Sequence, residues 1–213
     1  RTNMERLPLL SLIPVPFPGL YQNFFIGSVA LKAALAASSE NSERRVLLAP
    51  RKNPNEKDPS LENIFSFGVV AEVLSELELP DTTLCITVSC GELVELSNLH
   101  SQLGYFSAEY LPIETTDDSA ETETHLHLLR EAAEQLVPEK EELGSRYQLP
   151  PTIFEILEGT LNLTQAVSHL AYHLQLPHEK KLQILSEKDL ILRAQLLLEE
   201  LGVMEEHKVI EAK

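Results

Sequence analysis

Short apolar runs, bounded by prolines, glycines and polar residues, fill the first half of the chain. Runs of this length between turn residues are typical of buried strands. The pattern predicts strands over Leu7–Val15, Asn23–Ile26, Arg45–Pro50, Phe67–Leu79, Thr83–Cys90, Glu92–Leu96 and Tyr105–Ile113. Short strands of this kind with little helix between them predict a small β-barrel or a two-sheet sandwich.

Prolines interrupt the first predicted strand and the turn after it, at Pro8, Pro14, Pro16 and Pro18. Because proline has no backbone N–H to donate to a neighbouring strand, we expect this strand to lie at an edge of the sheet or to bend sharply. Gly19 then permits a tight turn, since glycine adopts left-handed backbone angles readily.

Two local signals mark a helix and a hairpin within this half. Ser28 precedes the alanine- and leucine-rich run VALKAALAAS and is predicted to cap the amino terminus of a short helix. Pro80, Asp81 and Thr82 have turn composition and separate two predicted strands, so they predict a β-hairpin.

The spacing of apolar residues becomes helical after the polar, acidic run TTDDSAETET, where we place a domain boundary between 1–114 and 115–213. The pattern predicts helices over Glu121–Leu143, Leu149–Gly159 and Leu163–Leu174, and a long last helix preceded by the capping-box variant Ser186-x-x-Asp189. The predicted fold class is therefore α+β. A small β-barrel or sandwich (a pseudo-barrel) is followed by a helical bundle that ends in the start of a long connecting helix.

Apolar residues recur every three or four positions along this last helix, at Leu190, Ala194, Leu197, Leu201 and Met204. The spacing forms a heptad-like seam. Packing in the core of the helical domain explains the seam under one interpretation. Under the other, Leu190, Leu197, Leu201 and Met204 continue into a coiled coil between subunits.

Composition restricts the partners and the compartment. The 213 residues, 43% hydrophobic and 23% charged, suit one large domain or two small ones, and the net charge of −16 argues against nucleic acid, because phosphate binding needs clustered basic residues. No run reaches the ~18 apolar residues of a membrane span, and the first residues lack the apolar region of a signal peptide. Cys85 and Cys90 lie in a strand-like run, so we expect buried free thiols, a reducing compartment and the cytoplasm.

Catalytic and metal-binding motifs are absent from the sequence. No glycine is followed by lysine, which excludes a P-loop, and neither GxSxG nor HExxH occurs. His169 and His173 share one helix face, but a metalloprotease would need glutamate where Leu170 stands, and a third ligand is missing. We therefore expect no catalytic residue, no cofactor site and no metal site in this sequence.

Large apolar side chains cluster around the Pro-Gly turn, at Phe17, Leu20, Tyr21, Phe24 and Phe25. Aromatic residues dominate protein cores, so packing inside the barrel is the simpler interpretation of the cluster. Under the functional interpretation, one or two of these side chains stay exposed and bind apolar segments of unfolded proteins.

In order and spacing, these features resemble the amino-terminal domain and helical subdomain of bacterial Lon ATP-dependent proteases, over roughly residues 7–210. The motifs that carry the resemblance are Phe17-Pro18-Gly19, Phe25-Ile26-Gly27, Asp58-Pro59, the element Ile64–Ala71 and Leu79-Pro80-Asp81. The helical segment LTQAVSHLAYHLQLPHEKKLQILSEKDLILRAQLLLEEL is also similar to the family.

The chain departs from the family pattern at two turns. Thr82 stands where the family usually has glycine after Leu-Pro-Asp, which changes the expected turn. Ser28, Val29 and Ala30 stand where the family often has a charged Arg-Glu-Lys stretch, so we expect no charge-dependent contact there.

The resemblance implies a non-catalytic front region of a protease, which recognises unfolded or damaged proteins and supports the assembly of a homo-hexamer. In that family an ATPase, with its ATP and Mg, and a Ser-Lys dyad lie downstream. A second hypothesis is a free-standing adapter that binds one protein partner or small molecule, as the Lon-like domain of cereblon-type ubiquitin adapters does. The helical half argues against it, because those adapters replace this half with other modules. An enzyme acting by itself is a third hypothesis, which no motif supports.

Overall fold

The structure, a computed structural model, describes residues 4–136, 153–154, 157–159 and 161–211, with side chains through 206. The chain divides into two compact units, Arg1–Glu114 and Thr115–Lys213. The predicted helix over Leu149–Gly159 and the end of the one predicted over Glu121–Leu143 lie largely outside the described residues. Among the helices that the structure describes, none combines the length and the apolar composition that crossing a bilayer requires.

The first unit is built of six strands, one helix and a short 3-10 turn at Leu61–Asn63. The elements are β1 (Arg6–Leu12), β2 (Tyr21–Ile26), α1 (Val29–Ser38), β3 (Arg45–Pro50), β4 (Phe67–Glu78), β5 (Leu84–Gln102) and β6 (Tyr105–Pro112). Ser28 caps α1 as predicted, since its side chain accepts a hydrogen bond from the backbone N–H of Leu31 at 3.4 Å.

The six strands form one mixed sheet in the order β2-β5-β4-β3-β1-β6, and β6 also pairs with β5. This additional pairing joins β6, at one end of the sheet, to β5, which is next to the other end. The strands β5, β4, β3, β1 and β6 therefore form a closed ring. The β1–β3 pair is parallel, and the other pairs are antiparallel. With the helices of the second unit, this arrangement confirms the predicted α+β class with a pseudo-barrel.

The strand β1 lies inside the ring, so the edge position that its prolines suggested was wrong, and the alternative of a sharp bend stays a prediction. It pairs with β6 from Arg6 to Leu9 and with β3 from Leu9 to Leu12. Pro8 therefore precedes the β3 ladder, and the three later prolines follow the end of the strand. Because only Pro8 falls within β1, the strand can hold a central place in the ring.

The strand β5 is continuous over 19 residues, whereas the sequence predicted two strands on either side of Gly91. Its register against β4 shifts at this point, because Val69 pairs with Leu93 and Ala71 pairs with Cys90. An extra residue on one strand bends it and increases its local twist. The glycine therefore bends β5, so that its first half pairs with β2 and its second half with β6.

A hydrophobic core fills the ring and draws on four of its strands and on the turn before β4. Its members are Leu7, Leu9, Leu47, Ala49, Ile64, Val94, Leu96, Phe106, Ala108 and Tyr110. The strands alternate buried and exposed positions most clearly in β2 and β6. In these two strands a single buried face fixes the register, since a shift of one residue would turn their apolar side chains to water. By contrast, β1 over Leu9–Leu12 and β3 over Val46–Pro50 are buried on both faces.

The second unit contains the helices α2 (Ala120–Leu136), α3 (Leu163–His173), α4 (His178–Ser186) and α5 (Leu190–Glu211). The helix α5 packs on α2, α3 and α4. The carboxylate of Asp117 accepts hydrogen bonds from the backbone N–H groups of Leu163 at 3.1 Å and Thr164 at 2.9 Å. It thereby satisfies two donors at the amino terminus of α3, where a negative charge is also favourable.

The residue that caps the long helix α5 is Asp189, and the capping box predicted from Ser186 was wrong. The Asp189 carboxylate accepts hydrogen bonds from the N–H groups of Ile191 at 2.9 Å and Leu192 at 3.2 Å. Ser186 instead ends α4, where its hydroxyl donates to the carbonyl of Gln183. A short loop separates the two helices, so one helix does not continue into the next.

The seam of α5 is buried within the second unit. Its members Leu190, Ala194, Leu197, Leu201 and Met204 are each at most 5% exposed. The helices that cover α5 belong to this same chain. The burial agrees with the interpretation of the seam as a core stripe, and the coiled coil between subunits stays a prediction.

Thr82 adopts a left-handed backbone with φ of 72°, in the turn of the β4–β5 hairpin. Left-handed angles cost a residue with a Cβ roughly 1–2 kcal/mol, and glycine loses roughly 0.5–1 kcal/mol through its freer unfolded state. We therefore expect Thr82→Gly to raise the free energy of unfolding by about 0.5–1 kcal/mol in urea denaturation. Thr82→Ala keeps the Cβ and is the control. Equal stability of the two variants would contradict the strain at this position.

Gly68 marks a close approach of β4 to β3, because a Cβ built there lies 2.1 Å from the carbonyl oxygen of Leu48. That oxygen is backbone in a central strand and cannot move aside cheaply. We expect Gly68→Ala to lower the free energy of unfolding by at least about 2 kcal/mol, in the range of overpacked sites. Gly27→Ala is the matched control, since nothing lies within 4 Å of its Cβ position. A loss no larger than that of the control would refute the close packing of these strands.

Candidate functional site

The five clustered apolar residues divide between the interior and the surface. Phe17, Leu20 and Phe24 are at most 3% exposed and pack inside the first unit. Tyr21 is 77% exposed and Phe25 is 69% exposed. Of the five residues, only Tyr21 and Phe25 therefore remain as candidate contact residues. That they bind a partner stays a prediction.

The alternation of β2 separates these side chains. Even-numbered residues of the strand point inward, and odd-numbered residues point to solvent. The turn before the strand fixes this phase, because Gly19, with φ of 80°, donates its N–H to the carbonyl of Cys90 at 3.0 Å. The buried Gln22 accepts from the N–H of Phe17 at 3.0 Å and so holds the turn against the strand.

An apolar row crosses the outer face of three strands beside the hairpin. It consists of Phe25 on β2, Cys85 on β5 and Leu77 on β4, which are register partners in that order. Leu77 is 63% exposed, and Cys85 is half-buried between its two neighbours. Partners in an antiparallel ladder point to the same face, so these three side chains form one continuous apolar surface.

A groove of about 410 Å³ opens next to Phe25. It lies between the end of β1, the end of β2, the start of α1 and the loop after β3. Its lining residues are Ser11, Leu12, Ile13, Pro14, Phe24, Phe25, Gly27, Ser28, Leu31, Arg51 and Lys57. The described lining is mainly apolar and carries two cations and no carboxylate, in a chain whose net charge is −16.

Arg51 joins the two sides of this groove. Its Nη1 donates to the carbonyls of Glu56 at 2.9 Å and Lys57 at 2.8 Å, and its Nη2 donates to the carbonyl of Ser11 at 3.2 Å. Burial lowers the pKa of the guanidinium, and the charges of Asp58 and Glu56 oppose that shift. Arg51 is not among the residues singled out from the sequence; its position directly after the apolar run of β3 was the available signal.

The two cysteines are free thiols, as predicted, but they differ in environment. Cys90 is buried, and its Sγ lies 3.4 Å from Oε1 of Gln22. Burial raises the pKa of the Cys90 thiol to about 12. Cys85 is only half-buried, because it belongs to the outer face of β5.

The histidines His169 and His173 lie on one face of α3, with ring centroids 6.3 Å apart. Burial, and then the neighbouring His173, lower the pKa of His169. Within the part of the chain that the structure describes, no group of three or more histidine, cysteine or carboxylate side chains is placed to hold a metal ion. The open apolar surface of the first unit is thus the candidate functional site.

These features define an α+β domain with an open apolar surface beside an uncharged strand. The family model described as the ATP-dependent protease La (LON) substrate-binding domain matches residues 6–202. This chain belongs to that family, and the match confirms the resemblance seen in the sequence.

Relatives and solved structures agree with this assignment. The chain is 30% identical to the Lon protease of Neorickettsia sennetsu over 99% of its own length and 26% of the relative. It is 25% identical to Lon protease 1 of Hydrogenovibrio crunogenus over 89% of its own length and 23% of the relative. The chain thus spans about a quarter of the length of these relatives.

Two solved structures share the fold. The N-terminal domain of the Mycobacterium avium complex Lon protease has a TM-score of 0.74 at 16% identity, over 93% of this chain and 98% of that one. The Lon N-terminal domain protein from Xanthomonas campestris has a TM-score of 0.61 at 14% identity, over 92% of this chain and 98% of that one. The chain therefore shares the fold of Lon N-terminal domains.

The different burial of Cys85 and Cys90 predicts that the two thiols react at different rates. With a pKa of about 12, about one Cys90 thiol in ten thousand is ionised at pH 8, and the thiolate is the reactive form. We expect iodoacetamide at pH 8 to alkylate Cys85 at least about 100-fold faster than Cys90, measured by peptide mass spectrometry. Raising the pH towards 12 should speed the Cys90 reaction while the fold persists.

Single-cysteine variants test the assignment of the two rates. Cys90→Ser should keep the fast reaction, and Cys85→Ser should remove it. Similar rates for the two thiols in the native chain would show that Cys90 is not sequestered.

Proposed function

We propose that this chain recognises unfolded or damaged proteins for a Lon-type ATP-dependent protease. The observation that carries the proposal is the exposure of Tyr21 and Phe25 on a strand whose other large side chains are buried. The description of the family as a substrate-binding domain supports it. Unfolded proteins differ from folded ones in offering apolar side chains, which an exposed apolar surface can bury.

The proposed contact surface consists of Tyr21, the apolar row and the adjacent groove. Burying one large apolar side chain stabilises a complex by about 1.5–3 kcal/mol, before the costs of association. Two aromatic side chains and a leucine therefore support only weak binding by a single copy. Several copies held on one oligomer would bind a long unfolded chain more tightly, through a high effective concentration.

The proposal for the whole protein follows its relatives. We propose a cytoplasmic homo-hexamer in which an ATPase, with ATP and Mg, and a Ser-Lys protease dyad act on clients that this region binds. The quarter-length coverage of Lon proteases supports the existence of such further regions. The net charge of −16 supports the absence of nucleic acid from its partners.

The free-standing adapter has less support. The family model extends through the helical unit to residue 202, whereas an adapter would need only the pseudo-barrel. The groove is the feature that such an adapter could use for a small ligand.

Replacing Phe25 by serine tests the proposal, because it removes the centre of the exposed apolar surface without touching the core. We expect at least about five-fold weaker binding to labelled, reduced and carboxymethylated α-lactalbumin, a permanently unfolded protein, in fluorescence anisotropy. Leu103→Ser is the matched control, since Leu103 is 89% exposed in the turn between β5 and β6. It should change the affinity by less than about two-fold.

Two results would overturn the proposal. One is that the native chain binds the unfolded protein no better than native α-lactalbumin. The other is that Phe25→Ser and Leu103→Ser weaken binding equally, which would remove the special role of this surface.

A further inference from the structure

We propose that the free edge of β2 captures clients by strand addition, so that an extended client segment becomes a further strand beside Tyr21–Ile26. The inference rests on the proposed function, because the client is an unfolded chain, and it specifies how that chain is held. Main-chain hydrogen bonds would provide the affinity, and alternate side chains of the client would contact the apolar surface.

The sheet leaves one side of β2 without a strand. In the part of the chain that the structure describes, β2 pairs with β5 alone, with continuous register from Tyr21 opposite Ser89 to Ile26 opposite Leu84. The strand is six residues long, which is enough for several ladder hydrogen bonds to a partner.

The direction of the backbone groups follows from one contact at the start of the strand. The N–H of Cys90 donates to the carbonyl of Leu20 at 2.7 Å, so the backbone of residue 20 faces β5. Backbone groups alternate in direction along an antiparallel ladder. The N–H and C=O groups of the odd-numbered residues therefore face the free edge, and these residues are Tyr21, Asn23 and Phe25.

In the part of the chain that the structure describes, this strand carries no charge, proline or bulge that would prevent strand addition. Edge strands of soluble proteins are protected by charged residues, prolines, bulges or covering elements. The sequence YQNFFI contains no charged residue and no proline, and its register against β5 shows no shift. The helix α1 packs chiefly on β1, β3 and β6.

The groove provides room and charge beside the edge. Its described lining includes Phe24 and Phe25 from β2 and none of the β5 residues, so it lies on the side of β2 away from β5. Lys57 and Arg51 line it together with apolar side chains. Lys57 and the apolar lining suit a segment that alternates apolar residues and carries a carboxylate near one end, because Arg51 is buried and already donates to backbone carbonyls.

An unfolded client fits this edge better than a second copy of the chain. Pairing of β2 with β2 would bring together two chains that each carry a net charge of −16 and two cation-lined grooves. Repulsion between the like charges of two copies disfavours the pairing of β2 with β2. A client segment with a carboxylate is instead attracted to the cations that line the groove.

A peptide with a methylated backbone tests the hydrogen bonds without changing the protein. The probe is a fluorescein-labelled octapeptide of alternating valine and serine with a carboxy-terminal glutamate. Only alternate residues of an added strand donate to β2, so N-methylation of either the valines or the serines should abolish binding, and N-methylation of the other set should preserve it. A probe bound only through its side chains would respond equally to both.

Asn23→Pro tests the same bonds from the side of the protein. The N–H of Asn23 faces away from β5, so proline removes a donor from the free edge and no bond to β5. We expect at least about ten-fold weaker binding of the unmethylated peptide in fluorescence anisotropy, because one N–H is lost and the proline ring blocks the edge. Asn23→Ala loses the same side-chain hydrogen bond from Thr87 but keeps the N–H, and it should stay within about two-fold of the native chain.

The outcomes separate this inference from the proposed function. If unfolded α-lactalbumin binding depends on Phe25 but both methylated peptides bind alike, strand addition is wrong and side-chain recognition stands. If the native chain binds neither probe, both fail. A dimer in sedimentation velocity that Asn23→Pro dissolves, without peptide binding, would assign the edge to a second copy and overturn the inference.

Discussion

Strand β5 is the constraint on which the first unit depends, because it pairs with three other strands. Its first half lies between β2 and β4, and its second half pairs with β6, with β4 on the other side only at Val94 and Glu95. The change of partner requires the bend at Gly91, where a Cβ would lie 3.0 Å from the carbonyl oxygen of Val70. The β2 ladder ends at Ser89, before the bend, and the β6 ladder begins at Val94, after it, so the bend divides the two pairings of this strand.

The candidate surface is a consequence of that pairing. The register with β5 sets the phase of β2, and the phase decides which of five neighbouring apolar side chains are buried. The same register aligns Phe25, Cys85 and Leu77 across three strands that are far apart in sequence. A one-residue slip would bury Phe25 and expose Phe24, so the buried face and the exposed face of β2 are fixed together.

Local signals in the sequence predicted most individual elements correctly. The cap at Ser28, the strand Arg45–Pro50 and the hairpin around Asp81 depend on residues close to one another, so their chemistry can be read directly. The errors at β1 and β5 have a different origin. Prolines indicated an edge or a sharp bend at β1 and the sequence indicated a break at Gly91, but the partners that make room for Pro8 and use the bend at Gly91 come from distant strands.

The candidate site was predictable only as a set of residues. The clustering of apolar residues identified Phe17 to Phe25, with core packing and the binding of unfolded proteins as the two interpretations. Exposure could not be assigned without the ladder to β5, and the groove involves Arg51, which no pattern in the sequence linked to Ser11. Sites that depend on the phase of a strand, or on contacts across 40 positions, need the folded arrangement.

The hydrogen bonds of Arg51 have a thermodynamic consequence for any ligand of the groove. The guanidinium fixes the loop through Lys57 and the end of β1 at Ser11 before a ligand arrives. A binding site that is already ordered loses little conformational entropy when it is filled. The entropy cost of association therefore falls mainly on the incoming chain. Stiffer extended segments lose less conformational entropy on binding, so they should bind more tightly than flexible segments with the same side chains.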